Sequence, residues 1–269
     1  MTPHHISDSA GSGTPRIIWH CGFFKTATTF AQLLMRRNMT ILGEHVSLFP
    51  KHVHTLELRR ASQAYLRARN EASRAVFDAK VKDIVNRTVT DGKGTAIVSD
   101  ETLCVFDHAA GFIDNLEHLL DAIETAAHPA RSEFVFYTRD MEKWLQSWHN
   151  QSVKSGQCAQ EFGPWEEAIT FDKDWDAIHA RLSAASRAPV TFISLEDEMK
   201  GGAAPGMELL RFANVPEDSI AKLVIPPRRN ESLSPGALKF MISLNRSDLR
   251  EPAKRQVRRL VMATPDAFS

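Results

Sequence analysis

The chain has 269 residues, 43% hydrophobic and 25% charged, a composition that suits one soluble globular domain with a sizeable core. Lysine plus arginine and aspartate plus glutamate each number 33, so the net charge is zero. That balance excludes a whole-molecule field for nucleic acid or membrane, and any anion site must be local. The three cysteines, Cys21, Cys104 and Cys158, are odd in number and widely spaced. This excludes a disulfide framework and fits a reducing, cytoplasmic compartment. No run approaches about 18 apolar residues, so no transmembrane helix is expected.

Residues 1–15 lack a basic-then-apolar signal pattern and read as a disordered lead, with one domain following from 16 to 269. Arg16-Ile17-Ile18-Trp19-His20-Cys21, bounded by Pro15 and Gly22, reads as a buried strand. Helical spacing begins near Ala27 and runs to Asn38, with Phe30, Leu33 and Leu34 on one face. Residues 56–90 are polar and rich in arginine and alanine, which predicts one or two exposed helices. A second strand, Thr95 to Asp100, follows Asp-Gly-Lys-Gly, and Ile113, Leu116, Leu120 and Ile123 then keep helical spacing. Glu133 to Arg139 makes a third strand. Asp140 caps the helix after it, with Met141, Trp144, Leu145 and Trp148 on its apolar face. Further on come a helix near 174–186, a strand Val190–Leu195, a helix from Met207 to Phe212, a loop at Pro226–Asn230 and a helical C-terminal stretch. Strands alternating with helices predict a P-loop-like three-layer α/β/α fold on a mostly parallel sheet.

The loop Gly22-Phe23-Phe24-Lys25-Thr26-Ala27-Thr28-Thr29 joins the first strand to its helix. In α/β proteins that junction holds phosphate, because the helix's first N–H groups are unpaired and its dipole favours negative charge. The loop departs from Gly-x-x-x-x-Gly-Lys-Ser/Thr: Ala27 occupies the second glycine position, Thr28 the lysine position, and Lys25 comes three residues early. On this motif alone, a plain strand-to-helix turn with a surface lysine is the alternative.

His20-x-Gly22-x-x-Lys25-Thr26-Ala27-Thr28-Thr29, with Gln32 and Asn38 after it, resembles the 5′-phosphosulfate loop of the sulfotransferases that use 3′-phosphoadenosine 5′-phosphosulfate (PAPS). The resemblance implies that Lys25 contacts the bridging oxygen and the transferring sulfuryl group. It also implies that Thr28 and Thr29 hold the 5′-phosphate, that Gly22, Thr26 and Ala27 complete the loop, and that Phe30 lies against adenine. Ala27 replaces the family's usual glycine, which implies a backbone that avoids positive φ there. Arg139 at a strand end and Ser147 eight residues later match the family's 3′-phosphate pair, and the tryptophans and Asn150-Gln151 nearby resemble bacterial members. Arg228-Arg229-Asn230 resembles the basic loop that closes over the same phosphate. The specific text is confined to these three motifs, within residues 16–247.

Sulfuryl transfer needs a group to take the acceptor's proton, and no metal is required where lysine, arginine and backbone N–H groups neutralise charge. Glu101, in Ser99-Asp100-Glu101-Thr102, is the first candidate base, His20 the second and His149 the third. An ordinary strand-end carboxylate and ordinary core histidines are the alternatives. His52 and His54 lack a third sensibly spaced ligand, so no metal site is expected. Lys254, Arg255, Arg258 and Arg259 read as the wet face of an amphipathic helix, a pattern that also suits an acidic polymer. Segments 40–95 and 156–180 are the expected acceptor walls. Carbohydrate, small alcohol, amine and phenol all stay open; tryptophans 144, 148, 165 and 175 are candidate stacking platforms for a sugar, although 144 and 148 fit a core stripe better. Two rival functions stand beside the sulfotransferase: a nucleotide kinase or NTPase with a degenerate loop, and a nucleotide-binding module without catalysis.

Overall fold

The computed structural model describes residues 13–104, 111–227 and 233–264. In chain order it runs β1 (Arg16–Gly22), α1 (Thr28–Arg37), α2 (Met39–Leu42), β2 (Ser47–Pro50), α3 (Leu56–Ala68), α4 (Glu71–Asp91) and β3 (Thr95–Ser99). A 3-10 turn at Glu101–Leu103 leads to α5 (Phe112–Ala127), β4 (Arg131–Thr138), α6 (Met141–Ser155), α7 (Phe162–Glu167), α8 (Trp175–Ala185) and β5 (Val190–Ser194). The rest is helical: α9 (Leu195–Lys200), α10 (Met207–Phe212), α11 (Glu217–Ile220), α12 (Pro235–Arg246) and α13 (Glu251–Ala263).

All strand pairings are parallel, in the order β2-β3-β1-β4-β5. Parallel strands need long crossovers, and helices cover both faces of this sheet as the alternation predicts. Side chains alternate along β1. Ile17, Trp19 and Cys21 enter a layer formed with α3, α4, α5, α6 and α8, and Ile18 enters the opposite layer with α1, α10 and α11. The two layers differ in chemistry: the first is crowded with phenylalanine and tryptophan, the second is mainly aliphatic.

Several expectations change. β2 is a strand the sequence pattern did not reveal. It is four residues long, fully buried, and pairs at the sheet edge with β3. Helices α3 and α4 are not simply exposed, since each buries a stripe: Leu58, Ala61 and Leu66 on the first, Phe77, Val81 and Ile84 on the second. On α1 the buried apolar face is Ala31, Leu34 and Met35, while Phe30 and Leu33 lie half-buried on its flank. Asp140 does cap α6, accepting from the Lys143 amide at 2.9 Å.

The C-terminal basic run is only partly wet. Arg258 is buried, bonding Asn245 at 2.8 Å and pairing with Glu251. Its guanidinium lies over Gly156, where an added Cβ would meet Nη1 at 2.5 Å; the φ of 81° also favours glycine there. Asn245 in turn donates to the carbonyls of Val153 and Cys158 at 2.9 and 2.7 Å, so α12 and α13 brace the end of α6. The expectation for the N-terminal lead falls outside the described residues up to position 12, as does that for Arg228, Arg229 and Asn230. Among the described residues, no helix is long and apolar enough to cross a membrane.

Candidate functional site

Neighbouring strands β1 and β3 send their onward helices to opposite faces, α1 into the aliphatic layer and α5 into the aromatic one. Such a switch leaves a crevice beyond the strands' carboxyl ends, where ligands bind in open α/β sheets. Both the loop after β1 and the Asp100–Glu101 turn after β3 lie at this crevice.

The loop's backbone is strained. Ala27 has φ 61° and ψ 16°, and Lys25 has φ 64°, so both non-glycine residues occupy the left-handed region. The expectation that alanine at 27 avoids positive φ is therefore wrong. The loop keeps the glycine-like turn and accepts a cost of about 1–2 kcal/mol for each such residue. Strain of this kind collects at ligand-binding sites. Ala27 is also the N-cap of α1 and supplies no side-chain cap; its carbonyl accepts from the Phe30 and Ala31 amides, which leaves those of Thr28 and Thr29 without an intrahelical acceptor.

Aromatic residues impose this shape. Phe23 is fully buried between Phe112, Phe136, Trp144, Trp175 and Phe192, with ring centroids 4.8–6.0 Å away. Phe24 meets Trp148 edge-on at 5.0 Å. Two indoles satisfy backbone carbonyls beside the crevice: Trp144 Nε1 donates to Phe24 O at 2.9 Å, and Trp175 Nε1 to Arg139 O at 2.6 Å. The Thr26 hydroxyl donates back to the Phe23 carbonyl, so it locks the loop rather than facing a ligand. Thr28 is buried and Thr29 exposed. Trp144 and Trp148 are core residues, and Trp165 and Trp175 pack against the same cluster, so none is presented as a bare sugar platform.

Arg139 follows β4 directly and bends to the loop, its Nη1 donating to Lys25 O at 3.3 Å. Its Nε is buried and has no hydrogen-bond partner. The carboxylates beside it are engaged elsewhere, Asp140 in capping α6 and Glu142 in accepting from Gln146 at 3.1 Å. Ser147 lies half-buried on α6, one turn before Gln151 on the same face. Gln151 Oε1 is 3.5 Å from Lys25 Nζ, which brings the loop's lysine toward the helix that carries Ser147. Gln151 and the Phe23–Phe24 pair are parts of the site that motif reading undervalued. The double aromatic inside an otherwise small-residue loop was the available signal.

The β3 side is built differently. Glu101 is buried; its Oε1 meets Lys51 Nζ at 2.5 Å and its Oε2 accepts from Gln32 at 2.8 Å. Burial pushes this carboxyl's pKa up, but the Lys51 charge and the hydrogen bonds outweigh it and hold the group below the ordinary glutamate value. Asp100 accepts from the Thr55 hydroxyl at 2.6 Å and the Thr102 amide at 2.9 Å.

His20 is fully buried on the α1 side of the sheet, with Nδ1 2.9 Å from the Ser99 hydroxyl and Nε2 lacking a partner. Burial lowers its pKa to about 4, with Glu101 pulling slightly the other way, so the ring is neutral near pH 7. Its ring has no exposed surface from which to reach an acceptor, whereas Glu101 keeps some. His149 is also buried, and its Nε2 faces the Gln160 carbonyl at 2.9 Å, tying down the segment after α6. His52 and His54 lie in the turn after β2, and His54 contacts Arg87 at 3.1 Å. Among the described residues no cluster of three or more potential metal ligands occurs.

Compared with family models, with curated proteins and with solved structures, the chain matches none.

Proposed function

We propose that the chain is a sulfotransferase that moves a sulfuryl group from PAPS to a hydroxyl or amine acceptor, a carbohydrate or small metabolite. The observation that carries the reading is the meeting of Arg139 with the loop. Arg139 Nη1 donates to Lys25 O at 3.3 Å, which sets a guanidinium whose Nε is buried and unpartnered against the strained loop leading into a helix start without a side-chain cap. Each lacks a partner that an oxyanion supplies, and charge-assisted bonds to such a group contribute about 1.5–3 kcal/mol each. The lysine placed early in the loop supports sulfuryl over triphosphate chemistry.

In this reading the open N–H groups at Thr28 and Thr29 take the 5′-phosphate, with Gly22, Thr26 and Ala27 shaping the backbone around it. Phe30 flanks the adenine, and Arg139 with Ser147 takes the 3′-phosphate. The bond from sulfur to the bridging oxygen breaks with its electron pair going to that oxygen, where Lys25 stabilises the charge. A new bond forms from sulfur to the acceptor oxygen or nitrogen, and the acceptor's proton goes to Glu101. Glu101 is preferred to His20 and His149 because it is ionised, lies at the crevice and keeps spare lone pairs. The odd number and wide spacing of the three cysteines support a cytoplasmic location.

Calorimetry with 3′,5′-phosphoadenosine (PAP), the donor's remnant, tests the donor: tight binding without magnesium is expected, and far weaker binding of ATP. A preference for ATP with magnesium replaces the proposal with a nucleotide kinase. PAP binding without any sulfated product, across an acceptor screen with labelled PAPS read by mass spectrometry, leaves a non-catalytic module.

A further inference from the structure

Three elements converge on one carboxylate. Lys51 is the first residue after β2, and its amide donates to Ser99 O at 2.9 Å, so the sheet ladder fixes its backbone. Its ammonium reaches Glu101 Oε1 at 2.5 Å, with both side chains largely out of water at 13% and 8% exposure. Gln32, on α1, donates to Glu101 Oε2 at 2.8 Å and to Ser99 O at 3.3 Å. The end of β2, the end of β3 and the helix after the anion-binding loop are thereby pinned to a single group.

We propose that Lys51 is a positioning residue of the transfer site, holding the Glu101 carboxylate in place at the crevice so that it can take the acceptor's proton. This rests on the sulfotransferase reading above. A buried ion pair adds little net stability, because desolvation of two charges offsets their attraction. Stability alone therefore does not account for placing the pair at the crevice mouth. The other groups facing Glu101 are the neutral Gln32 on α1 and His20 on β1, while Asp100 of its own turn is directed to Thr55 and Thr102. Lys51 is the cation that opposes the effect of burial on Glu101.

The test uses the full chain with Lys51→Met and Lys51→Arg. Without the ammonium, only the Gln32 and backbone hydrogen bonds oppose burial, and Glu101 binds its proton more readily. The acid limb of the kcat/KM profile for sulfuryl transfer then moves upward by about one pH unit or more. So does the Glu101 carboxyl titration followed by 13C NMR. Affinity for PAP stays within about threefold, and Lys51→Arg restores the profile. If Lys51→Met does not fold by circular dichroism, Lys51→Gln, which removes the charge but keeps a hydrogen bond, is read in the same way. A folded, uncharged variant with an unmoved acid limb and an unmoved titration overturns the proposal, as does failure of arginine to restore them. Failure of the underlying reading shows separately, as wild-type protein that does not bind PAP.

Discussion

The two flanks of β1 meet the same crevice with opposite construction. Toward β4, the loop is clamped by packed rings, its backbone is bent against its preference, and Arg139 keeps an unused donor. Toward β3, Glu101, Lys51, Gln32 and Asp100 engage one another and neighbouring hydroxyls. The first flank stores strain and an open donor, which the proposed anion would relieve. The second holds a charge still. The proposed transfer needs both, one part ready to be completed and one already set.

The largest effect that separates the flanks is expected from Phe23→Ala. Emptying that pocket should cost about 3–5 kcal/mol in denaturant unfolding. It should also abolish PAP binding while leaving the Glu101 titration where it was; a shift in that titration would mean the flanks are not independent.

Next comes pH. Folding lowers the His20 pKa from 6.5 to about 4, so in acid the unfolded chain binds its proton first. Stability is fully present above pH 6.5 and falls between 6.5 and about 4, by on the order of 3 kcal/mol. The depressed Glu101 adds a further loss at lower pH, as its own folded value is crossed. Urea unfolding of His20→Gln across this range should lack the upper part of the slope.

Arg139→Ala should weaken PAP binding ten- to a hundredfold, about 1.5–3 kcal/mol, by calorimetry. The same variant should unfold within about 1 kcal/mol of wild type, since the side chain leaves a buried donor unsatisfied already. Unchanged affinity would remove Arg139 from the site. The smallest effect is Ala27→Gly. Relief of the left-handed strain is partly offset by glycine's greater unfolded freedom, giving a gain of under about 1 kcal/mol in thermal unfolding.

Much of this fold was legible because its strands are short apolar runs bounded by turn residues, and four of the five announced themselves that way. β2 did not. Ser47–Pro50 is too short to show a period, and it ends in a proline tolerable only because the strand is at the edge. For the site, Lys25, Arg139 and Glu101 were readable from their places at strand ends. Ala27 misled, because small size says nothing about φ when the loop is packed by rings from Phe112 onward, far along the chain. Lys51 was missed because its meaning depends on β2 lying beside β3, a neighbourhood that spacing along the chain does not encode. Arg258 looked like a surface charge for a related reason, since the slot it fills is made by the missing side chain of Gly156.

That slot couples two positions distant in the chain. Any side chain at 156 would displace the guanidinium of 258, and a shorter residue at 258 would leave Asn245 and the carbonyls of Val153 and Cys158 without their shared anchor. A side chain at 156 therefore costs more while the arginine is present than once it is gone, although the φ of 81° favours glycine in both cases.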